Sequence, residues 1–341
     1  MTVPDTSHPT TAATRSHGPY LEPRPDVAGM LQWLQHTATH PDGRVDSWVN
    51  AKHPGYAYPE AAGLLLTLLA ATPGSSLPLR QTIAERLIAD ISPTGALGRG
   101  NHGYAFDTAI ALHGLHAHVR TGGEVDPNTL TKLYNFVATC ITQRCAGEAF
   151  ATLETRWSTS WSCHLLKMAL ALEAHAGHRA GPLIEQLFAT LLPLAHNGRF
   201  VTHRGSDHSY VHASCYALEG LLHLQICGRT QVTSHLQAGL QWLAAIQADN
   251  GSLPAWHNGH RGWGLRPADI VAQSVRLWST VDREGFATPI ARGLRYLAGL
   301  QTPSGGLRYH PGSDDVNTWS TIFAVQAVDW ARHGPDLSHL A

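Results

Sequence analysis

YPEAAGLLLTLLA, residues 58–70, carries apolar or small side chains around almost the whole circumference of a helix. A helix apolar along one stripe lies on a surface, whereas one apolar on most sides is packed on most sides. Five further segments read the same way: FDTAIALHGLHAHV at 106–119, STSWSCHLLKMALALEAH at 158–175, HASCYALEGLLHL at 212–224, ADIVAQSVRLWST at 268–280 and NTWSTIFAVQAVDWA at 317–331. They recur at a spacing of roughly 50 residues, the signature of an internal repeat that decides the architecture.

Each buried segment follows a glycine-bearing turn and a short extended piece. The turns are HPDGRVDSW at 41–49, SPTGALGRG at 92–100, CAGEAFATL at 145–153, HNGRFVTH at 196–203, QADNGSLPAW at 247–256 and QTPSGGLRY at 301–309. Before each turn runs a helix with charged or amide residues on one face, starting near Asp26, Leu79, Pro127, Gly181, Thr233 and Thr288. Six amphipathic helices alternating with six buried ones predict an all-α (α/α)6 toroid, an inner ring pointing one way and an outer ring returning. The competing arrangement is an open helical solenoid, and six copies with a buried inner set favour closure. The toroid is expected over 25–334, after a flexible segment at 1–24 rich in Thr, Pro, Ser and His and before a tail at 335–341.

Composition removes several function classes. The 24 Lys and Arg nearly cancel the 25 Asp and Glu and form no basic stripe, so nucleic acid is not the expected partner. No run approaches the ~18 apolar residues of a membrane span, and the N-terminus lacks the apolar segment of a secretory signal, which points to the cytoplasm. Five cysteines, odd in number and without a CxxC pair, do not suggest a disulfide framework. No GxGxxG, GxxxxGK or GxSxG supports nucleotide binding or acyl transfer, and no cofactor is called for.

In a closed ring, the residues at the start of each inner helix meet at one end of the barrel. Carboxylates, histidines and aromatics cluster there: Tyr58 and Glu60; His102, Tyr104 and Asp107; Trp157 and Trp161; His208, Tyr210 and His212; Arg266 and Asp269; Asp315, Asn317 and Trp319. Each acid taken alone reads as a helix cap or first-turn residue worth about 0.5 to 2 kcal/mol. Convergence on one concavity changes that reading, because crowded carboxyls have their pKa values driven apart and so supply an acid and a base at one pH. Glu60, Asp107, His212, Asp269 and Asp315 are the candidate acids and bases. Tyr58, His102, Tyr104, Trp157, Trp161, His208, Tyr210, Asn317 and Trp319 would shape the pocket, and Arg266 would hold an anionic group.

Two zinc sets can also be drawn, Cys163, His164 and Cys215 on neighbouring inner helices, and His208, His212 and Cys215 with H-x3-H-x2-C spacing. Against both, the two cysteines sit inside apolar helices where free thiols pack as small hydrophobes. SDDVNTW at 313–319 is similar to the Asp-rich acid motif of class II terpene cyclases, with Ser313 in place of its first Asp.

The strings AYPEAAGLLLTLL, AFDTAIALHGL, SYVHASCYALEGLL, DIVAQSVRLW and DVNTWSTIFAVQA resemble those of a bacterial family from polysaccharide and natural-product gene clusters. That family is similar to N-acylglucosamine 2-epimerases, unsaturated glucuronyl hydrolases and the squalene cyclase and prenyltransferase barrels. Over roughly 45–330, the resemblance implies the (α/α)6 fold and a pocket holding Glu60, Asp107, His212, Asn317 and Trp319. The expectation is a biosynthetic enzyme of non-redox acid/base chemistry on a polar, anionic small molecule or saccharide, by epimerisation, elimination, hydrolysis or ring closure. The alternatives are a proton-initiated terpene-type cyclase, a zinc enzyme, and a non-catalytic toroid that binds a saccharide or partner chain; a partner subunit could also cap the open mouth.

Overall fold

The structure, a computed structural model, describes residues 23–100, 102–145, 160–202 and 205–341. In these residues outer and inner helices alternate along the chain. They are α1 (Val27–Trp33), α2 (Pro59–Ala71), α3 (Leu77–Ala89), α4 (Ala105–Arg120), α5 (Pro127–Cys145), α6 (Ala169–Ala176), α7 (Gly181–Leu191), α8 (Val211–Ile226), α9 (Thr233–Ile246), α10 (Ala268–Val281), α11 (Ala287–Ala298) and α12 (Thr318–His333). The even-numbered helices form the inner ring, and α12 packs back on α2, so the ring is closed. The outer helices begin within two residues of the positions expected from the sequence.

Burial follows the composition of each helix. In α2 every residue from Glu60 to Leu69 is buried, whereas in α11 only Ile290, Gly293 and Leu297 are. Where α2 crosses α4, Gly63 faces Gly114. A Cβ on Gly114 would lie 2.3 Å from the Gly63 carbonyl oxygen, so the backbones meet at a separation that only glycine permits.

The third inner element departs from the expected single helix. A 3-10 stretch at Cys163–Met168 precedes the short α6. In a 3-10 turn residues i and i+3 eclipse one another. His164 and Lys167 are therefore stacked, one lining the cavity at the mouth and the other buried in the barrel beneath it.

The turns are held by a recurring seat. Gly43 has φ +83° and its missing Cβ would stand 2.3 Å from the Thr82 carbonyl oxygen of α3, the next outer helix. Gly95, Gly198 and Gly251 sit in the same way against α5, α9 and α11, and Gly305, at φ +105°, would place a Cβ 2.2 Å from the Gly29 carbonyl oxygen of α1. The sixth turn thus seats on the first outer helix. At the mouth β1 (Trp48–Val49) pairs antiparallel with β9 (Val316–Asn317), Trp48 opposite Asn317, joining the first and sixth repeats a second time. Gly147 of the third turn lies outside the described residues.

Gly74 also has positive φ, +74°, but nothing lies within 4 Å of its Cβ position. Gly74→Ala is expected to cost about 1 to 2 kcal/mol for the left-handed backbone alone. Gly305→Ala should cost at least about 2 kcal/mol more, since a main-chain carbonyl must also move. Chemical denaturation of the two variants checks this, and equal losses would remove the seat as a ring-closing contact.

Candidate active site

The inner helices present their functional side chains at equivalent positions. Glu60, His212, Asp269 and Trp319 are the second residues of α2, α8, α10 and α12, and Asp107 is the third of α4. The fourth residue pins three of these helices to the preceding turn. Leu97 N–H donates to Thr108 Oγ1 at 2.9 Å, Leu307 N–H to Thr321 Oγ1 at 2.9 Å, and Ser214 Oγ to the Phe200 carbonyl at 3.1 Å. Turn and helix start are locked together, so each first-turn side chain is aimed at the axis.

They meet in a cavity of about 280 Å3, near the lower end of the roughly 300 to 1,000 Å3 of small-molecule pockets. Its lining holds four carboxyls, Glu60, Asp107, Asp269 and Asp315, with His164 and His212. Aromatic rings form the walls. Tyr58 lies 5.7 Å from Trp319 between ring centroids, Tyr56 lies 5.1 Å from Trp48 edge-on, and the Tyr210 and Tyr309 hydroxyls are 3.5 Å apart. No Lys or Arg lines it.

The carboxyls stand in different environments. Glu60 accepts from the Tyr216 hydroxyl at 2.7 Å, a bond that crosses the barrel from α8 to α2, and also from Trp319. Burial raises its pKa, while those two donors and the Lys167 charge oppose the rise. Asp107 is buried too, and burial together with the neighbouring Glu60 charge pushes its pKa well above the usual carboxylate value, against a bond from Tyr58. Its Oδ2 has no hydrogen-bond partner among the described residues. Asp269 is pushed up to about 7 by burial, although the Ile270 N–H donates to its Oδ1 at 2.7 Å. His212 Nδ1 lies 3.6 Å from Asp269 Oδ2, and burial holds this imidazole down at about 3, so at neutral pH it is an uncharged neighbour of Asp269.

A buried ionic layer lies under the floor. Lys167 Nζ is 2.8 Å from Glu219 Oε2 and 4.7 Å from the Tyr216 ring centroid, and it donates to the main-chain oxygen of Ala341 at 2.8 Å. Arg276 pairs with the other Glu219 oxygen and donates to Gln326 and Ala341, each at 2.6 Å. The last residues of the chain therefore turn back into the end of the barrel opposite the mouth.

Of the residues singled out in the sequence, Tyr58, Glu60, Asp107, Tyr210, His212, Asp269, Asp315, Asn317 and Trp319 line the cavity. Asp315 stands at its edge, accepting from Asn50 at 2.7 Å, and the adjacent Asp314 faces solvent in an ion pair with Lys52. His102 is exposed on β3 (His102–Gly103), which pairs with β2 (Gly98–Arg99). Tyr104, Trp161, His208 and Arg266 do not line the cavity: His208 is half-exposed 3.0 Å from Asp207, and Trp161 has the Arg144 guanidinium 5.9 Å from its ring. Trp157 lies outside the described residues.

Neither zinc set is assembled. Cys163 and Cys215 are fully buried, burial pushes the Cys163 thiol up to about 12 and raises Cys215 as well, and Cys215 Sγ faces Ser274 Oγ at 3.7 Å. Their ligand atoms do not gather with a histidine within coordination reach.

Trp48, Tyr56, Phe106 and Tyr309 also line the cavity and were not singled out. The signal for two of them is in the repeat. HPDGRVDSW and QTPSGGLRY both end on an aromatic, Trp48 and Tyr309, at the position that enters the mouth.

No protein-family model and no curated protein sequence matches the chain. Among solved structures it is similar to a sugar epimerase from a ruminal bacterium, at TM-score 0.66 and 10% identity over 89% of this chain and 98% of that one. It is also similar to a family 88 glycosyl hydrolase from Bacteroides vulgatus, at 0.64 and 9% over 90% and 98%. A type II terpene cyclase from Scytonema, solved with merosterolic acid A, matches at 0.57 and 16% over 90% and 96%. At these identities the likeness is one of fold, and the fold it establishes is the closed (α/α)6 toroid read from the repeat.

Proposed function

We propose that the protein is an enzyme performing non-redox acid/base chemistry on a ring-bearing polar small molecule bound at the toroid mouth, a saccharide without a charged group being the substrate class that best suits the walls. The observation that carries this reading is the placement of Asp107 and Asp269. They enter one cavity from α4 and α10, which stand opposite each other in a ring of six. Burial keeps the first protonated and sets the second near neutrality. A proton donor and an acceptor then face the two sides of a bound ring, the arrangement that epimerisation, elimination or hydrolysis needs.

In this scheme Asp107 Oδ2 supplies a proton to a substrate oxygen, and Asp269, with neutral His212 beside it, takes one from the opposite side. Glu60 is the fixed acceptor at the floor, committed to Tyr216 and Trp319. The Tyr58, Tyr210, Tyr309 and Trp319 rings cover the apolar faces of a sugar while their polar tips meet its hydroxyls. With no cation on the walls and carboxyls converging, a neutral substrate is favoured over the anionic one expected from Arg266. The titles of the sugar epimerase and the glycosyl hydrolase support the substrate class. A terpene-type cyclisation is less well served, because Asp314 sits outside the cavity in its pair with Lys52.

Purified protein incubated with neutral sugars and glycosides in D2O reads both chemistries by mass spectrometry, as deuterium gained at carbon or as hydrolysed product. Asp107→Asn is expected to lower turnover by about 10²- to 10⁴-fold with little change in melting temperature. A large loss of stability with turnover intact would make Asp107 a structural cap, and thermal stabilisation by a sugar without product would make the toroid a binding protein.

The two pKa directions fix a pH profile. Asp269 must lose its proton, so kcat/KM should rise with pH through about 7. It should fall at higher pH as Asp107 ionises, the two limbs belonging to the coupled site as a whole. A profile whose acid limb lies at the ordinary carboxylate value of about 4 would reject Asp269 as the base.

A further inference from the structure

The most His-rich part of the molecule is not at the mouth. At the opposite end of the inner ring, Glu173 of α6 and His223 of α8 converge with Cys227, the residue that ends α8. His223 Nε2 lies 3.2 Å from Glu173 Oε2 and 3.7 Å from Cys227 Sγ, and the three ligand atoms lie within 4.8 Å of one another. We propose that these residues form a binding site for a divalent transition-metal ion of the zinc class, separate from the cavity at the mouth.

The geometry matches what such an ion requires. Metal distances of about 2.05 Å to nitrogen, 2.1 Å to oxygen and 2.3 Å to sulfur at a tetrahedral angle give edges of roughly 3.3 Å for N–O and 3.6 Å for N–S. The observed 3.2 and 3.7 Å are those edges, so an ion enters with shifts of about a tenth of an ångström. The donor set of one thiolate, one imidazole and one carboxylate is borderline-soft, which selects zinc over magnesium or calcium. It also carries two negative charges against the ion's two positive ones. His223 and Cys227 are spaced i, i+4, which puts both donors on one face of the helix end, and Glu173 comes from the neighbouring inner helix.

A second observation points to the same place. His113 of α4 is 8% exposed, and neither of its ring nitrogens has a hydrogen-bond partner, although a buried imidazole ordinarily finds one. His223 is among the charged groups acting on it. An unsatisfied buried imidazole thus stands near the triad. Cys227 is exposed, which leaves the fourth coordination position to water.

A bound ion would tie α6 to α8 at the end remote from the mouth. The full chain, stripped with a chelator, is titrated with Co2+ alone and followed by absorption, with Zn2+ then added in competition. Saturation at about one equivalent is expected, with a thiolate-to-cobalt charge-transfer band and the strong visible bands of a four-coordinate ion, both lost on adding Zn2+. Cys227→Ser should abolish the charge-transfer band. Glu173→Gln should keep it and weaken binding at least roughly tenfold. Cys145→Ser, at a thiol outside the triad, should change neither. Absence of a thiolate band, or a band that survives Cys227→Ser, would overturn the site.

Discussion

Each described turn glycine presses its backbone against a carbonyl of the following outer helix, and this contact sets the position of everything at the mouth. The seat is available only to a residue without a Cβ and with positive φ, so sequence and backbone agree on glycine at Gly43, Gly95, Gly198, Gly251 and Gly305. From there the chain has a fixed path. A few extended residues lead to the inner helix, and in three repeats a hydroxyl at its fourth residue bonds back to the turn. Side chains at the second and third helical positions then have no choice of direction. Because Gly305 seats on α1, the same contact that spaces the repeats also closes them.

Closure has an energetic consequence at the centre. Six helices of finite girth leave an axial space, and here it is filled below the mouth by Lys167, Glu219, Arg276 and Gln326 with the main-chain oxygen of Ala341. Burying these ions costs several kcal/mol each, and removal of one partner from such a set costs about 3 to 5 kcal/mol, so the layer persists only because each charge is met. Burial lowers Lys167 to about 8, with Glu219 holding it up. This layer also acts upward. The Lys167 charge lies under Tyr216 and opposes the rise in Glu60, so the floor acid is the one best supplied with donors and positive charge.

The fold was legible because its signal is collective: six turns, six buried helices and their order survive any single misreading. The site was legible where it depends on helix register. Glu60, Asp107, His212, Asp269 and Trp319 share equivalent positions at the starts of inner helices, and the structure gathers them. His102 and His208 precede their helices by more than one residue and follow the strands outward to solvent instead. Arg266 was assigned to the mouth from its place before α10, but the extended residues there carry it away from the lining. The 3-10 start of the third inner element could not be read from apolar periodicity, since a 3-10 and an α segment of six residues bury similar patterns. The Glu173, His223 and Cys227 cluster has ligands far apart in sequence on two helices, a separation that no spacing motif describes.

The three buried carboxyls show how one environment produces different chemistry. All are desolvated, so all are raised, and what separates them is what each accepts. Glu60 receives two side-chain donors and has a cation within range, which favours the charged form. Asp269 receives main-chain N–H groups from its own helix start, which limit its rise to about 7. Asp107 has a single tyrosine and the adverse charge of Glu60. The order of donor supply is therefore the order of ease of ionisation at Glu60 and Asp107, and a charged Glu60 is itself a cause of the neutral Asp107. Moving a donor from Glu60 would weaken that charge and release the proton that Asp107 holds at lower pH, so the floor bond from Tyr216, formed across the barrel only when the ring is closed, couples the toroid's architecture to the acidity at its mouth.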